Sequence, residues 1–416
     1  MTKPGLQLRL GSSFTVEYPG LSNIPYLPLN IKMYQEMGTH DLVEITYATF
    51  NRAFYDSLKT GVPVQVSWKN DKVSGVFYGY VANVSFETAQ VASKRTRVVC
   101  MGSSYPLKER GTRIWTEQTA SEIAADIAAK FNLTPRVTPH ATKFPQQSLS
   151  GHSYWEKLRE LAQRIGYGVQ MMGTELHFHP IDKMIDQFIT TVPLMQFSEP
   201  LRRDTTTLSQ TLEWFEPVVG DFVEFLQYKR SEKVLSGVDP ISGESYIVSA
   251  SPNDLGVNLR EDTRDPIFTE IDTRTVSLSV STAKALTDGK AQLSRLSVPA
   301  KGHGQGDPRI YPWRTIEVRG TGSTTDGYWV VTKAVHSIHS DGRYQVDFEC
   351  ATDGTRDNAA STFRPSSAGS VPYRNVTQEL MSGYSKPSST ILTSTGYRFT
   401  QAQGGFKVSP RRWVGL

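Results

Sequence analysis

Only 2 cysteines, Cys100 and Cys350, occur in 416 residues, which excludes a disulfide framework and leaves both thiols as small hydrophobes of a reducing compartment. No apolar run approaches the ~20 residues that span a bilayer, and the opening MTKPGLQLRLG lacks the apolar core of a signal peptide. Stable membrane insertion is therefore not expected, and synthesis and assembly in a cytoplasm are. A strong charge is missing too, because the net value is only +4. Nucleophile and phosphate motifs are equally scarce. GHSYW (151–155) starts like G-x-S-x-G but ends in Trp155, and Ser153 serves better as a helix cap. GHGQGDP (302–308) has the glycines of a phosphate loop without the Lys-Ser/Thr or the helix that should follow. No two of the 41 Asp and Glu stand out as a glycosidase acid and nucleophile.

What is present is mostly β pattern. A chain of this length exceeds one ordinary core, which stops growing near ~250–300 residues, so two to four domains are expected. The composition, 38% hydrophobic and 21% charged, is that of a globular protein. Leu29, Ile31 and Met33 alternate with polar neighbours, and LVEITY (42–47), VPVQVSW (62–68), VFYGYVANVSF (76–86) and RTRVVC (95–100) continue an antiparallel reading. At Thr119 the period changes. Thr119 with Glu122, and Ser153 with Glu156, read as capping boxes opening two helices, with Gly166 ending the second and a hairpin turning near Gly173. Strand patterns resume from 195 to 215 and again at WRTIEV (313–318), with a polar insert and one weak helix (281–296) between them.

Two histidine groups invite a metal reading, and strand geometry argues against both. His336 and His339 are an odd number apart, so on a strand they face opposite ways. Glu175, His177 and His179 share one face, but their spacing spreads them over about 13 Å, which favours a solvated strand face over a single ion site. Short basic clusters such as KRTRVV and SPRRW read as solvated surface. The basic character sits in the tail: residues 356–416 carry eight Lys and Arg against Asp357 and Glu379, a net +6 within a Ser/Pro/Gly-rich stretch. That stretch reads as an arm that orders only against a partner. Phe406, Val408, Trp413 and Val414 are its expected apolar anchor, and Arg411 and Arg412 its charged contacts, with nucleic acid or plain solvent as the alternatives to a protein partner.

Residues 61–102 align without gaps on 311–352, matching Val66 with Ile316, Tyr78 with Tyr328, Val81 with Val331 and Cys100 with Cys350. The chain reads as a diverged internal duplication whose second copy is split by the insert.

The order of parts resembles the tail or baseplate hub proteins of bacteriophages, the late control protein D group, and the N-terminal portion of type VI secretion spike proteins. Two passages carry the likeness. In the first, Ser153, Leu158, Leu161, Ala162, Gly166, Tyr167, Leu176 and Phe178 occupy the positions of the pattern S-x-x-x-x-L-x-x-L-A-x-x-x-G-Y and its closing hairpin. The second is IYPWRTIEVRGTGSTTDGYWVVTKAVHSIHSDGRYQVDFEC, where Trp313 stands at a usual glycine and Tyr328 lies one place closer than usual to Gly327. The resemblance implies a mainly β fold with an α+β insertion, in which two similar antiparallel β-barrel domains form a ring in a trimer, plus a small α+β domain. The expected divisions are 1–104 (first barrel), 105–190 (α+β), 191–215 with 308–355 (second barrel), 216–307 (insert) and 356–416 (arm). The implied function is a structural hub adapting the sixfold tail tube to the central spike, in the virion tail or baseplate or a related contractile injection device, with no catalytic residue, cofactor or metal. The implied partners are two further copies, the tube protein, the spike or tip protein and baseplate wedge proteins, with nucleic acid only passing through the lumen. The ring strands would centre on Val64, Val66, Tyr78, Tyr80, Val81, Ile316, Val318, Tyr328, Val330 and Phe348. A tail-associated peptidoglycan hydrolase or wall-binding module, based on 105–190, is the alternative.

Overall fold

The computed structural model describes residues 13–21, 28–48, 52–70, 73–89, 93–186, 194–197, 209–217, 231–239, 242–251, 268–272, 279–296, 298–322, 325–352, 398–402 and 405–409. In chain order the first elements are β1 (Ser13–Glu17), β2 (Pro28–Glu36), β3 (Leu42–Tyr47), α1 (Arg52–Ser57), β4 (Pro63–Lys69), β5 (Ser74–Ala89) and β6 (Ser93–Gly102). Next come β7 (Arg110–Thr119), α2 (Ala120–Lys130), β8 (Thr134–Val137), β9 (Lys143–Ser153), α3 (Tyr154–Ile165), β10 (Tyr167–Met172), β11 (Glu175–Pro180) and α4 (Ile181–Asp186). After β12 (Leu194–Phe197) and β13 (Ser209–Pro217) the insert supplies β14 (Ser231–Val238), β15 (Ser245–Ala250), β16 (Phe268–Asp272) and α5 (Val280–Arg295). The chain continues with β17 (Val298–Gln305), β18 (Thr315–Arg319), β19 (Gly327–His339) and β20 (Tyr344–Thr352), and then β21 (Arg398–Ala402) and β22 (Gly405–Ser409).

Chain contacts divide into two compact units. One comprises Met1–Tyr228, Val257–Asp262 and Leu296–Arg356; the other comprises Lys229–Gly256, Thr263–Arg295 and Asp357–Leu416. In the first unit a 12-stranded sheet runs β1-β4-β5-β6-β3-β2-β19-β18-β12-β13-β17-β20, and β20 returns to pair with β19. The last six strands therefore close into a barrel around Met195, Leu212, Ile316, Val318, Trp329, Val331, Val346 and Phe348. The first six enclose Ile31, Met33, Val43, Ile45, Val64, Val66 and Cys100. Their ring of pairings is open between β1 and β2 among the described residues, because β2 pairs instead with β19, from Lys333 opposite Glu36 to His339 opposite Asn30.

The stretch 298–305, assigned from sequence to the insert, is a barrel strand between β13 and β20. Its glycines hid it, because glycine is depleted in strands. They are needed there: a Cβ on Gly302 would meet the Phe348 ring at 2.4 Å, and one on Gly306, just past the strand, the Tyr344 ring at 2.2 Å. The alternating glycines make room for two core aromatics.

Between the barrels, α2 and α3 pack against their strands around Trp115, Ile123, Ile127, Trp155, Leu158, Leu161 and Phe178. Both capping boxes form, and Gly166 ends α3 in the left-handed conformation at φ 69°. In the second unit β14 pairs with β15 and β16, and α5 joins a small core of Leu235, Tyr246, Ala283 and Leu286. The arm, expected without elements of its own, carries an antiparallel hairpin from Arg398 opposite Ser409 to Ala402 opposite Gly405.

Candidate functional site

Strands β4, β5, β6, β3 and β2 are repeated in order and antiparallel pairing by β18, β19, β20, β17 and β13, whereas β12 runs parallel to β18 where β1 runs antiparallel to β4. Val81 lies opposite Cys100, and after a one-residue bulge Asn83 lies opposite Val99. Val331 lies opposite Cys350, and after the same bulge Lys333 lies opposite Glu349. The bulge therefore recurs at an offset of 250 residues. In the neighbouring pair the register differs by two: Val64 faces Gly79, whereas Ile316 faces Trp329. Ile316 thus takes the structural place of Val64 rather than of Val66, and an even shift keeps every side chain on its own face. The same correspondence places Trp313 over Gly61. Gly61 donates its N–H to the Val81 carbonyl at 2.8 Å, and Trp313 donates to the Val331 carbonyl at 2.9 Å. Both backbones are left-handed, at φ 89° and 71°. The tryptophan holds a conformation glycine prefers because its indole is buried with Ile181, Met184, Ile185 and Val330 against Gly168.

A buried chain of hydrogen bonds ties the two barrels together. Trp68 Nε1 donates to Tyr344 Oη at 3.0 Å, Tyr344 meets His336 Nδ1 at 2.9 Å, and His336 Nε2 donates to the Ile310 carbonyl at 2.8 Å. This order fixes the neutral tautomer with its proton on Nε2. Burial holds His336 down to about 4. The turn between β2 and β3 fastens the α+β part in turn. Gly38 N–H donates to Gln170 Oε1 at 2.9 Å, and His40 Nδ1 lies 2.7 Å from Ser104 Oγ with its ring 4.9 Å from that of Trp155. In the second copy the β13–β17 connection, topologically equivalent to this turn, is where the insert enters the chain.

No family model and no curated protein matches the chain by sequence. Solved structures match by shape. The 43 kDa tail protein of prophage MuSo2 from Shewanella oneidensis aligns with TM-score 0.56 and 14% identity, over 83% of this chain and 99% of that one. A tail protein from Neisseria meningitidis MC58 aligns at 0.53 and 10%, over 82% and 97%. The fold is that of phage tail proteins. The tail-protein fold extends to the E. coli c3393 protein, a type VI secretion component with structural similarity to the T4 tail proteins gp27 and gp5. It aligns at TM-score 0.51 and 11% identity, over 81% of this chain and 76% of that one.

On this tail-protein fold the strand residues singled out from sequence fall into two groups. Val64, Val66, Val81, Ile316, Val318, Val330 and Phe348 are buried in barrel cores or at their junctions. Tyr78 and Tyr328 point outward, 43% and 41% exposed, as the offset of 250 requires. Tyr80 is half-buried against Tyr105, the ring centres 5.9 Å apart. Phe406 and Val408 lie on β22, while Arg411, Arg412, Trp413 and Val414 lie outside the described residues.

The strand face of Glu175, His177 and His179 is not solvated as expected. β11 is the middle strand of its sheet, and both histidines are buried. Glu175 Oε1 accepts from Arg136 Nη2 at 2.8 Å and Nε at 3.1 Å, which keeps the carboxyl below its usual range. His179 Nδ1 lies 2.8 Å from Thr138 Oγ1, and burial lowers the ring to about 4. A carboxylate committed to an arginine and a histidine that resists protonation are poorly placed for acid–base work at neutral pH. Ser153 is occupied as the cap of α3, accepting from Glu156 N–H at 3.2 Å. Among the described residues no group of three His, Cys, Asp or Glu side chains converges as a metal site, and no helix is long and apolar enough to cross a membrane.

Proposed function

We propose that the chain is a structural hub protein of a phage tail or baseplate, or of a related contractile injection device. Three copies form a ring that adapts the sixfold tail tube to the central spike or tip, and the chain catalyses no reaction itself. The observation carrying this reading is the repeated strand set, with one bulge recurring at an offset of 250 residues and one left-handed corner, Gly61 and Trp313, at the shifted place two residues on. Two like barrels in each of three copies present six like units to a sixfold tube. The likeness to solved tail proteins supports the same role. The outward tyrosines Tyr78 and Tyr328, at equivalent places, suit a surface that meets the same partner twice per chain.

The basic segment 356–416 is the connector to the spike or tip, its net +6 meeting carboxylates and its aromatic residues anchoring the contact. Removal of residues 391–416 leaves the trimer intact and abolishes spike capture in a pull-down at physiological salt. Undiminished capture by the truncated chain refutes the connector role. Electron microscopy of the chain mixed with its tube protein tests the adaptor role, since rings capping tube ends are required.

A further inference from the structure

A cavity of about 250 Å³ opens where the first barrel, the α+β part and the 308–312 loop meet, all within the first unit. That is below the ~300–1,000 Å³ of drug-sized ligand sites and suits the end of one side chain. Its wall mixes an apolar side, with Met33, Met172, Trp68 and Tyr311, with uncharged polar groups such as Ser104 and Gln170, and no Lys, Arg or His lines it. One charged group does, Asp41. Gln35 Nε2 donates to Asp41 Oδ2 at 3.0 Å, while Oδ1 is shut from solvent with no hydrogen-bond partner. An unsatisfied buried polar atom costs about 1–3 kcal/mol and calls for a reason. Burial raises the Asp41 carboxyl to about 7, as fits a carboxylate short of a countercharge.

We propose that this cavity is a binding site for a primary ammonium group on an apolar stem, the end of a lysine side chain presented by a partner protein, with Asp41 as its countercharge. The torsion that turns an aspartate carboxyl is broad, so a small rotation brings Oδ1 into the cavity while Oδ2 keeps Gln35. The apolar side of the wall takes the methylene stem. Ammonium fits better than guanidinium, because one carboxylate oxygen is already engaged and a guanidinium is best met by two. A metal ion fits poorly, since a single carboxylate supplies too few ligands. The site's chemistry stands independently of the tail assignment.

Titration calorimetry of the full chain with n-pentylamine, against n-pentanol at matched ionic strength, reads the site directly. The amine binds, the alcohol binds about tenfold or more weakly, and Asp41→Asn abolishes the difference. Asparagine keeps an acceptor for Gln35, so the variant should fold. Nα-acetyl-lysine amide should bind where its norleucine counterpart does not; a free amine that binds while acetyl-lysine amide does not overturns the protein source. Equal binding of amine and alcohol, or undiminished binding by Asp41→Asn, overturns the proposal. If Asp41→Asn does not fold, a crystal soak of the unmodified chain decides: the ammonium stands within hydrogen-bond distance of Asp41, or the proposal fails.

Discussion

At the residue scale, the pair Gly61 and Trp313 shows how two copies solved one corner differently. An L-residue in the left-handed region costs roughly 1–2 kcal/mol, and nothing lies within 4 Å of a Cβ placed on Gly61. Gly61→Ala should therefore cost about that much, through backbone strain alone. Trp313→Gly removes the strain but loses a buried indole, worth ~3–5 kcal/mol on truncation, and should lower stability by about 2–3 kcal/mol. Urea denaturation midpoints check both; a stabilised Trp313→Gly chain would show that the indole packing contributes little. From sequence, Trp313 stood out only as a departure from a usual glycine. Its compensation lay in Gly168 and α4, far along the chain and invisible to periodicity.

Protonation is a second residue-scale matter. His40, His179 and His336 are held down to about 4 from the usual 6.5, each chiefly by burial. The unfolded chain binds three protons in that window that the native chain refuses, so these groups weaken the fold as pH falls from 6.5 toward 4. Asp41, raised to about 7 from 3.8, acts oppositely, since its native form keeps a proton the unfolded chain has lost. Three histidines outweigh one aspartate, and thermal stability should rise with pH from 4 to 6.5. A melting temperature that is flat or falls over this range contradicts the assignment. His40 and His336 escape sequence patterning because they sit at contacts between distant parts, His40 with Ser104 and Trp155, His336 with Tyr344 and Ile310.

At the element scale, what repeats locally could be read and what depends on distant partners could not. Both capping boxes are local, and both form. Ser153→Ala removes the acceptor of the Glu156 N–H and should cost about 1 kcal/mol, seen as a lower denaturation midpoint. A cost near zero would mean that the tertiary packing of Trp155, Leu158 and Leu161 holds the helix start without the cap. Tyr344, Val346, Phe348 and Cys350 alternate along β20, and each is buried. β17 was missed because two of its inward positions are glycines, Gly302 making room for the Phe348 ring and Gly304 for the Thr211 carbonyl. β11 was misjudged because alternation reports one covered face, whereas a strand in the middle of a packed sheet is covered on both.

At the scale of the whole molecule, the gapless match of 61–102 to 311–352 located the repeat, and the pairing refines it by a two-residue shift in one strand pair. The match carried Val81 and Cys100 onto Val331 and Cys350 correctly because these residues flank the bulge, where register is pinned. It misplaced Val66 on Ile316 because a shift of two leaves the inside-outside pattern unchanged. The open side of the first barrel, where β1 pairs only with β4 among the described strands, is a feature no single-chain pattern discloses. An uncovered strand edge calls for a partner, which on the hub reading a neighbouring copy would supply. The molar mass of the purified chain in solution, by multi-angle light scattering at micromolar concentration, tests this most directly. The hub reading predicts a single species of three times the 46.4 kDa chain, and a chain that stays monomeric at every concentration contradicts it.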